Sequence, residues 1–242
     1  MHALVEVEKN TKHVMEKMPL NKYIDHTILK PTCLVSDIEK LCAEAKQYDF
    51  AAVCVPPNFV KLAKGFVEGS QVKVATVIGF PFGYSATEAK IAEIILAIVD
   101  GADELDVVAN ISAIKNGDWT AIADEINHIL PIIRSKGKVI KIIIESGVLT
   151  HEEIIACCDI YGAAGIDYLK TSTGYAEKGA SVEAVQLFRK HLPESVHIKA
   201  SGGIRDYETA KQMIEAGATR IGCSAGVAIV SGATTDQVKS NY

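Results

Sequence analysis

From residue 22 onward the chain alternates short apolar, β-branched runs with longer stretches in which apolar residues recur every three or four positions. The short runs fall at 23–29, 51–55, 72–78, 104–108, 139–144, 168–171, 196–200 and 220–222. Their near-continuous hydrophobicity predicts strands covered on both faces. The longer stretches at 36–48, 58–67, 87–100, 119–136, 150–161, 181–190 and 207–216 predict helices, with a short eighth one starting at Ala225. Turn chemistry marks several boundaries independently. Ser36-x-x-Glu39 and Thr150-x-x-Glu153 have capping-box spacing, and Gly101, Gly165 and Gly217 follow helices where a left-handed residue is needed. Strict alternation of β and α implies a parallel sheet, and eight such units predict an α/β fold of the (β/α)8 TIM-barrel type rather than an open doubly wound sheet. No Pro-rich or low-complexity linker divides the sequence, so 1–242 reads as a single barrel domain. A charged extension over 1–19 precedes it, and a polar, flexible tail over 231–242 follows.

Composition narrows the function. A chain of 242 residues with 48% hydrophobic content suits one barrel of this size. A net charge of -5 and a pI near 5.8 give no electrostatic footprint for nucleic acid or an anionic membrane, so an anionic ligand must be held by local groups. Cys33, Cys42, Cys54, Cys157, Cys158 and Cys223 form no CxxC pair and read as free thiols in a reducing cytosol, with no metal site. The N-terminus lacks an apolar targeting core and no run is long enough to span a bilayer, which predicts a soluble, cytoplasmic protein.

The candidate chemistry sits where strands end. Lys170 in Asp167-Tyr-Leu-Lys-Thr-Ser-Thr-Gly174 and Lys199 in Val196-His-Ile-Lys-Ala-Ser-Gly-Gly203 each follow apolar residues and precede a glycine turn. Asp106 and Lys141 occupy comparable positions, and in a barrel of this kind all four converge toward the C-terminal mouth. A buried ion network would account for any one of them. It does not account for three lysines against one aspartate, because excess positive charge depresses a lysine pKa and yields a neutral, nucleophilic amine able to attack a carbonyl. Glycine and small hydroxyl residues accumulate at Thr171-Ser-Thr-Gly174, Ser201-Gly-Gly203 and Gly222-Cys-Ser-Ala-Gly226. Tight turns explain each cluster singly; together, at units seven and eight, they point to a phosphate monoester, with Arg205 as a further charge.

Together these phrases, with Tyr23-Ile-Asp-His-Thr27, Gly79-Phe-Pro-Phe-Gly83, Gly101-Ala-Asp-Glu-Leu-Asp-Val-Val-Ala-Asn110, Ile144-Glu-Ser-Gly147 and Arg220-Ile-Gly-Cys-Ser224, closely resemble the deoxyribose-phosphate aldolases from about Tyr23 to about Val230. The resemblance implies a class I aldolase that reversibly cleaves 2-deoxy-D-ribose 5-phosphate to D-glyceraldehyde 3-phosphate and acetaldehyde, with no metal or organic cofactor. It implies Lys170 as the Schiff-base lysine, Lys199 as the neighbour that lowers its pKa, Asp106 as the acid/base partner working with water, and Lys141 as a lysine near Asp106. It further implies Gly174, Gly202, Gly203 and Ser224 around the phosphate, Asp25, Thr27 and Cys54 lining the pocket, and a homo-oligomer, dimer or tetramer. After Gly174 the family carries either a basic or an aromatic residue, so whether Tyr175 or Lys178 faces the phosphate stays open. The terminal Tyr242 corresponds to a tail tyrosine, and the hypothesis is that it assists proton transfer at the acetaldehyde carbon.

Other features read as structural. Asp25 and His26 are adjacent on a strand and point to opposite faces, which excludes a shared metal ion. Cys157 and Cys158 lie on a helix as packing residues, and Phe80-Pro-Phe-Gly83 forms a rigid loop over the mouth. Three rival functions remain: another class I aldolase with a ketone donor, a phosphate-binding barrel isomerase without a covalent intermediate, and a non-catalytic sugar-phosphate binder. The last gains little from a neutral amine.

Overall fold

A computed structural model describes residues 19–232. Eight parallel strands close on themselves in chain order: β1 (Ile24–Thr27), β2 (Ala52–Val55), β3 (Lys73–Ile78), β4 (Glu104–Val108), β5 (Val139–Ile143), β6 (Tyr168–Lys170), β7 (His197–Ser201) and β8 (Arg220–Cys223). The ring is sealed by β1 pairing with β8. Outside it run α1 (Val35–Gln47), α2 (Val60–Phe66), α3 (Thr87–Val99), α4 (Ile111–Lys115), α5 (Trp119–Ser135), α6 (His151–Ala164), α7 (Val182–His191), α8 (Tyr207–Glu215) and α9 (Gly226–Val230). The predicted (β/α)8 barrel is therefore present. The tail residue Tyr242 and most of the predicted extension and tail lie outside the described residues.

Strand alternation sorts the side chains into two apolar regions. One face of each strand, including Val53, Leu105, Ile140, Ile142, Leu169, Ile198 and Ile221, packs against the helices in a continuous buried cluster. Fully burying one such side chain contributes about 1.5–3 kcal/mol. The other face points into the barrel, where Cys54, Ala75 and Val77 make a small separate apolar cluster beside Leu29 and Phe80. Apolar side chains thus line the barrel at β2 and β3, and charged groups enter the interior from the neighbouring strands.

Some boundaries differ from the expected ones. The first strand begins after a 3-10 turn over Leu20–Tyr23, which Pro19 starts by accepting a bond from Lys22 N–H at 2.9 Å. The capping box at Thr150 forms as its spacing predicts, with Glu153 N–H donating to Thr150 Oγ1 at 3.2 Å and Thr150 N–H to Glu153 Oε2 at 2.7 Å. The one at Ser36 does not. Ser36 is already inside α1, and the reciprocal bond runs from Leu34 N–H to Asp37 Oδ2 at 3.0 Å. Gly101, Gly165 and Gly217 do take positive φ, of 104°, 70° and 119°. Helix α4 is additional to the elements the pattern predicts; Asn110 caps it by accepting from Ala113 N–H at 3.1 Å.

Candidate active site

Strand register brings the charged residues together before any side chain is considered. Asp106 on β4 is level with Lys141 on β5, Lys170 on β6 with Lys199 on β7, and Lys199 with Arg220 on β8. All of these except Arg220 are buried. Asp106 is the hub. Its Oδ1 accepts from Lys141 Nζ at 2.7 Å, and its Oδ2 accepts from Lys170 Nζ at 2.7 Å and Lys199 Nζ at 2.8 Å. The predicted convergence of Asp106, Lys141, Lys170 and Lys199 is thus what the fold builds.

The network is wider than those four. Lys141 Nζ lies 2.6 Å from Glu104 Oε2, and Lys199 Nζ donates to Asp25 Oδ2 at 2.5 Å. Arg220 donates to Asp25 Oδ1 at 2.6 Å and to Glu104 Oε2 at 3.1 Å, with its guanidinium 5.5 Å from the Tyr168 ring centroid. Four cations therefore face three carboxylates, which corrects the expected ratio of three lysines to one aspartate. Glu104 and Arg220 escaped the sequence reading although both carried a signal. Glu104 stands two residues before Asp106 and shares its strand face, and Arg220 stands in register with Lys199.

Electrostatics separates the two lysines that share Asp106 Oδ2. Burial pushes the Lys170 ammonium below its usual range, and the positive charge of Lys199 adds to that while Asp106 opposes it. For Lys199 burial acts in the same direction but loses to the carboxylates of Asp106 and Asp25, so its pKa rises and it stays charged. Lys141 is likewise raised, burial being outweighed by Asp106 and Glu104. Asp106 and Asp25 both stay ionised, because burial, which would raise each pKa, is overcome by the cations around it. Lys170 thus loses its proton more readily than Lys141 or Lys199.

Glycine makes room for this arrangement. A Cβ on Gly222 would stand 2.2 Å from Ser201 Oγ and 2.9 Å from Lys199 Cε. Gly174, Gly202 and Gly203 have φ of 91°, 92° and 80°, a region that suits glycine, and the first and third have open space where a Cβ would be. Ser224 lines a cleft of about 210 Å³ with Thr27, Lys30, Thr173 and Tyr175. Lys30, which the sequence reading missed, holds Asp37 at 3.2 Å on its rim.

The remaining predicted residues are placed as follows. Cys54 is buried in the interior cluster, where desolvation raises its thiol pKa. Thr27 donates to the Asp25 carbonyl at 2.8 Å. Thr171 is committed elsewhere: its hydroxyl donates to Ser201 O at 3.1 Å and accepts from Ser201 N–H at 3.0 Å, joining β6 to β7 rather than facing the cleft. Arg205 and Lys178 are exposed. His26 points outward to Glu44 at 2.8 Å while Asp25 points in, the opposition expected of adjacent strand residues. Among the described residues no three His, Cys, Asp or Glu side chains gather as a metal site, and no helix is long and apolar enough to cross a membrane.

Comparison with known proteins identifies the family. The sequence profile of the DeoC/LacD family aldolases matches residues 20–232. A deoxyribose-phosphate aldolase of Thermococcus gammatolerans is 52% identical over 221 residues, covering 90% of this chain and 98% of the relative. One from Streptococcus suis is 50% identical over 219 residues, covering 90% and 99%. Among solved structures, the deoxyribose phosphate aldolase from Aeropyrum pernix, described as a unique tetramer, superposes with a TM-score of 0.82 at 33% identity, covering 88% of this chain and 89% of the other. With its barrel, its lysines and these relatives, the chain belongs to the DeoC/LacD family of aldolases and is a carbon–carbon lyase.

Proposed function

We propose that the protein is a deoxyribose-phosphate aldolase that works through a Schiff base on Lys170. The observation that carries this is the pairing of Lys170 and Lys199 on one oxygen of Asp106, with only Lys170 depressed in pKa. The free amine attacks the C1 aldehyde of open-chain 2-deoxyribose 5-phosphate, and uptake of one proton with loss of water leaves an iminium. The C3 hydroxyl gives up its proton, the C2–C3 bond breaks, and its electron pair flows into the iminium. D-Glyceraldehyde 3-phosphate leaves, and an enamine of acetaldehyde stays on Lys170. Protonation at C2 and hydrolysis return the water and release acetaldehyde.

Residue roles follow from the charges. Lys199 keeps Lys170 deprotonated. Asp106, held ionised by the ammonium groups of Lys141 and Lys199, is a weak base, so it orients both lysines and the water that carries protons to and from the substrate. Lys141 and Arg220 hold Asp106, Glu104 and Asp25 in place. The glycines at 174, 202 and 203 and Ser224 receive the phosphate on backbone N–H groups, and Thr27 and Cys54 line the sugar cleft. Assembly as a dimer or tetramer, supported by the tetrameric relative, is tested by sedimentation. A cytoplasmic setting and small-molecule partners, with no nucleic acid or membrane, belong to the same proposal.

The decisive experiment is intact-protein mass spectrometry after incubation with acetaldehyde and borohydride, beside a Lys170→Ala control. A single ethyl adduct that vanishes in the control supports the reading. Protein that cleaves the sugar phosphate but forms no adduct would overturn the covalent route and favour an isomerase-like use of Asp106.

A further inference from the structure

Glu145 has no part in that chemistry, yet its position is costly. It directly follows the last ladder residues of β5 and takes the left-handed conformation, φ 53° and ψ 57°, which a residue with a Cβ seldom adopts. Its carboxylate is buried. Burial pushes its pKa up, against bonds from Thr173 and the charge of Lys170. Glycine would build the same turn without strain, and a surface acid would avoid desolvation. Such an outlier calls for a function.

Its bonds indicate which. Thr173 N–H donates to both carboxylate oxygens, at 3.2 and 3.3 Å, and the Thr173 hydroxyl donates to Oε2. Thr173 Oγ1 in turn accepts from Tyr175 N–H at 3.0 Å. The Tyr175 hydroxyl reaches Leu29 O, beyond β1, at 2.8 Å, and its ring stands edge-on to Phe80 at 5.4 Å. The loop after β6 is also seated closely on its neighbours: a Cβ on Gly147 would meet Lys178 O at 2.4 Å, and one on Gly179 would meet Gly202 O at 2.4 Å. Glu145 is the buried hydrogen-bonding fastening of this loop. Lys170 is held separately, by Asp106 and by the bond from Ile144 N–H to its carbonyl at 3.2 Å.

We propose that Glu145 is a positioning residue that acts through Thr173 to fix the turn carrying Gly174, and so sets recognition of the substrate's phosphate rather than the reactivity of Lys170. The inference rests on the aldolase reading of the site. It separates two substrates. Phosphorylated and unphosphorylated 2-deoxyribose both need Lys170, but only the first needs the turn.

The test uses Glu145→Gly and Glu145→Asn, residues at home in the left-handed region, and Glu145→Gln, which keeps hydrogen bonding without charge. For Gly and Asn the KM for 2-deoxyribose 5-phosphate is expected to rise about tenfold, the loss of about one hydrogen bond's worth of positioning. The kcat, the borohydride adduct and kcat/KM for 2-deoxyribose should stay within about threefold of wild type, and Gln should recover most of the lost KM. In the Glu145→Gly protein relief of left-handed strain offsets part of the lost bonds to Thr173, so its melting temperature should stay within about 5 °C of wild type. The inference is overturned if both sugars lose activity equally, if KM does not move, or if Gln behaves as Gly does. A wild-type protein that cleaves neither sugar and forms no adduct sinks the aldolase reading itself, and this inference with it.

Discussion

Replacing Lys199 by methionine removes a charge while keeping most of the side chain's length. Lys199 and Lys170 share Asp106 Oδ2 at 2.8 and 2.7 Å, so their nitrogens are at most about 5.5 Å apart. Two unit charges at that separation repel by about 3 kcal/mol at an effective dielectric constant of about 20. That repulsion adds to burial in depressing Lys170. Without it the Lys170 pKa rises, and below that pKa the fraction of free amine falls by roughly a hundredfold, since 1.36 kcal/mol is a factor of ten. The assay is kcat/KM for cleavage of 2-deoxyribose 5-phosphate between about pH 6 and pH 10, alongside the rate of borohydride trapping at Lys170. Lys199 stays charged across that window, its pKa being raised by Asp106 and Asp25 against the effect of burial. The variant should therefore lose roughly a hundredfold near neutrality and recover as the pH rises. An equal deficit at every pH, in a variant that melts like wild type, would refute the reasoning and show that Lys199 acts by contact rather than by charge.

Two further perturbations probe the frame. Gly222→Ala puts a methyl 2.2 Å from Ser201 Oγ and 2.9 Å from Lys199 Cε, so Lys199 must shift. Urea denaturation should show a loss of about 1–3 kcal/mol and steady-state kinetics a fall in kcat, whereas wild-type kcat would mean the strand yields instead. Lys90 and Glu125 form a buried pair at 2.7 Å between α3 and α5, and Lys90 also donates to Val108 O at 2.8 Å. Lys90→Met alone should cost about 3–5 kcal/mol, because it strands the carboxylate, and Lys90→Met with Glu125→Leu should recover much of it. A double variant as unstable as the single one would locate the loss at the Val108 carbonyl.

Much of this architecture could be read from pattern alone, because parallel strands buried on two faces give uninterrupted apolar runs and the helices between them have clear period. The four central charges were legible for the same reason: Asp106, Lys141, Lys170 and Lys199 interrupt such runs. Their partners were harder to see. Glu104 and Arg220 sit at strand starts, where charge is ordinary; alternation puts Glu104 on the face of Asp106, and register with Lys199 shows that Arg220 turns inward too. Helix α4 is too short to show a period. Ser36 illustrates the limit of spacing rules, since the cap geometry starts two residues earlier, at Leu34, whose amide Asp37 satisfies. Thr171 faces its neighbouring strand because it lies where the ladder between β6 and β7 ends and Ser201 needs a partner. Glu145 gave no signal, as left-handed backbone at a glutamate has no sequence signature.

The unequal count inside the barrel bears on the fate of the intermediate. With Lys170 as a free amine, Lys141, Lys199 and Arg220 stand against Asp25, Glu104 and Asp106, three of each sign. In the proposed chemistry the iminium, still beside Asp106, adds a fourth positive charge to a network that holds three carboxylates. Carbon–carbon cleavage then draws an electron pair into that iminium and leaves a neutral enamine, and once water carries the C3 hydroxyl proton out the interior returns to electroneutrality. The covalent adduct is kept from becoming an energetic trap, and the fixed side chains drive it forward simply by being one anion short.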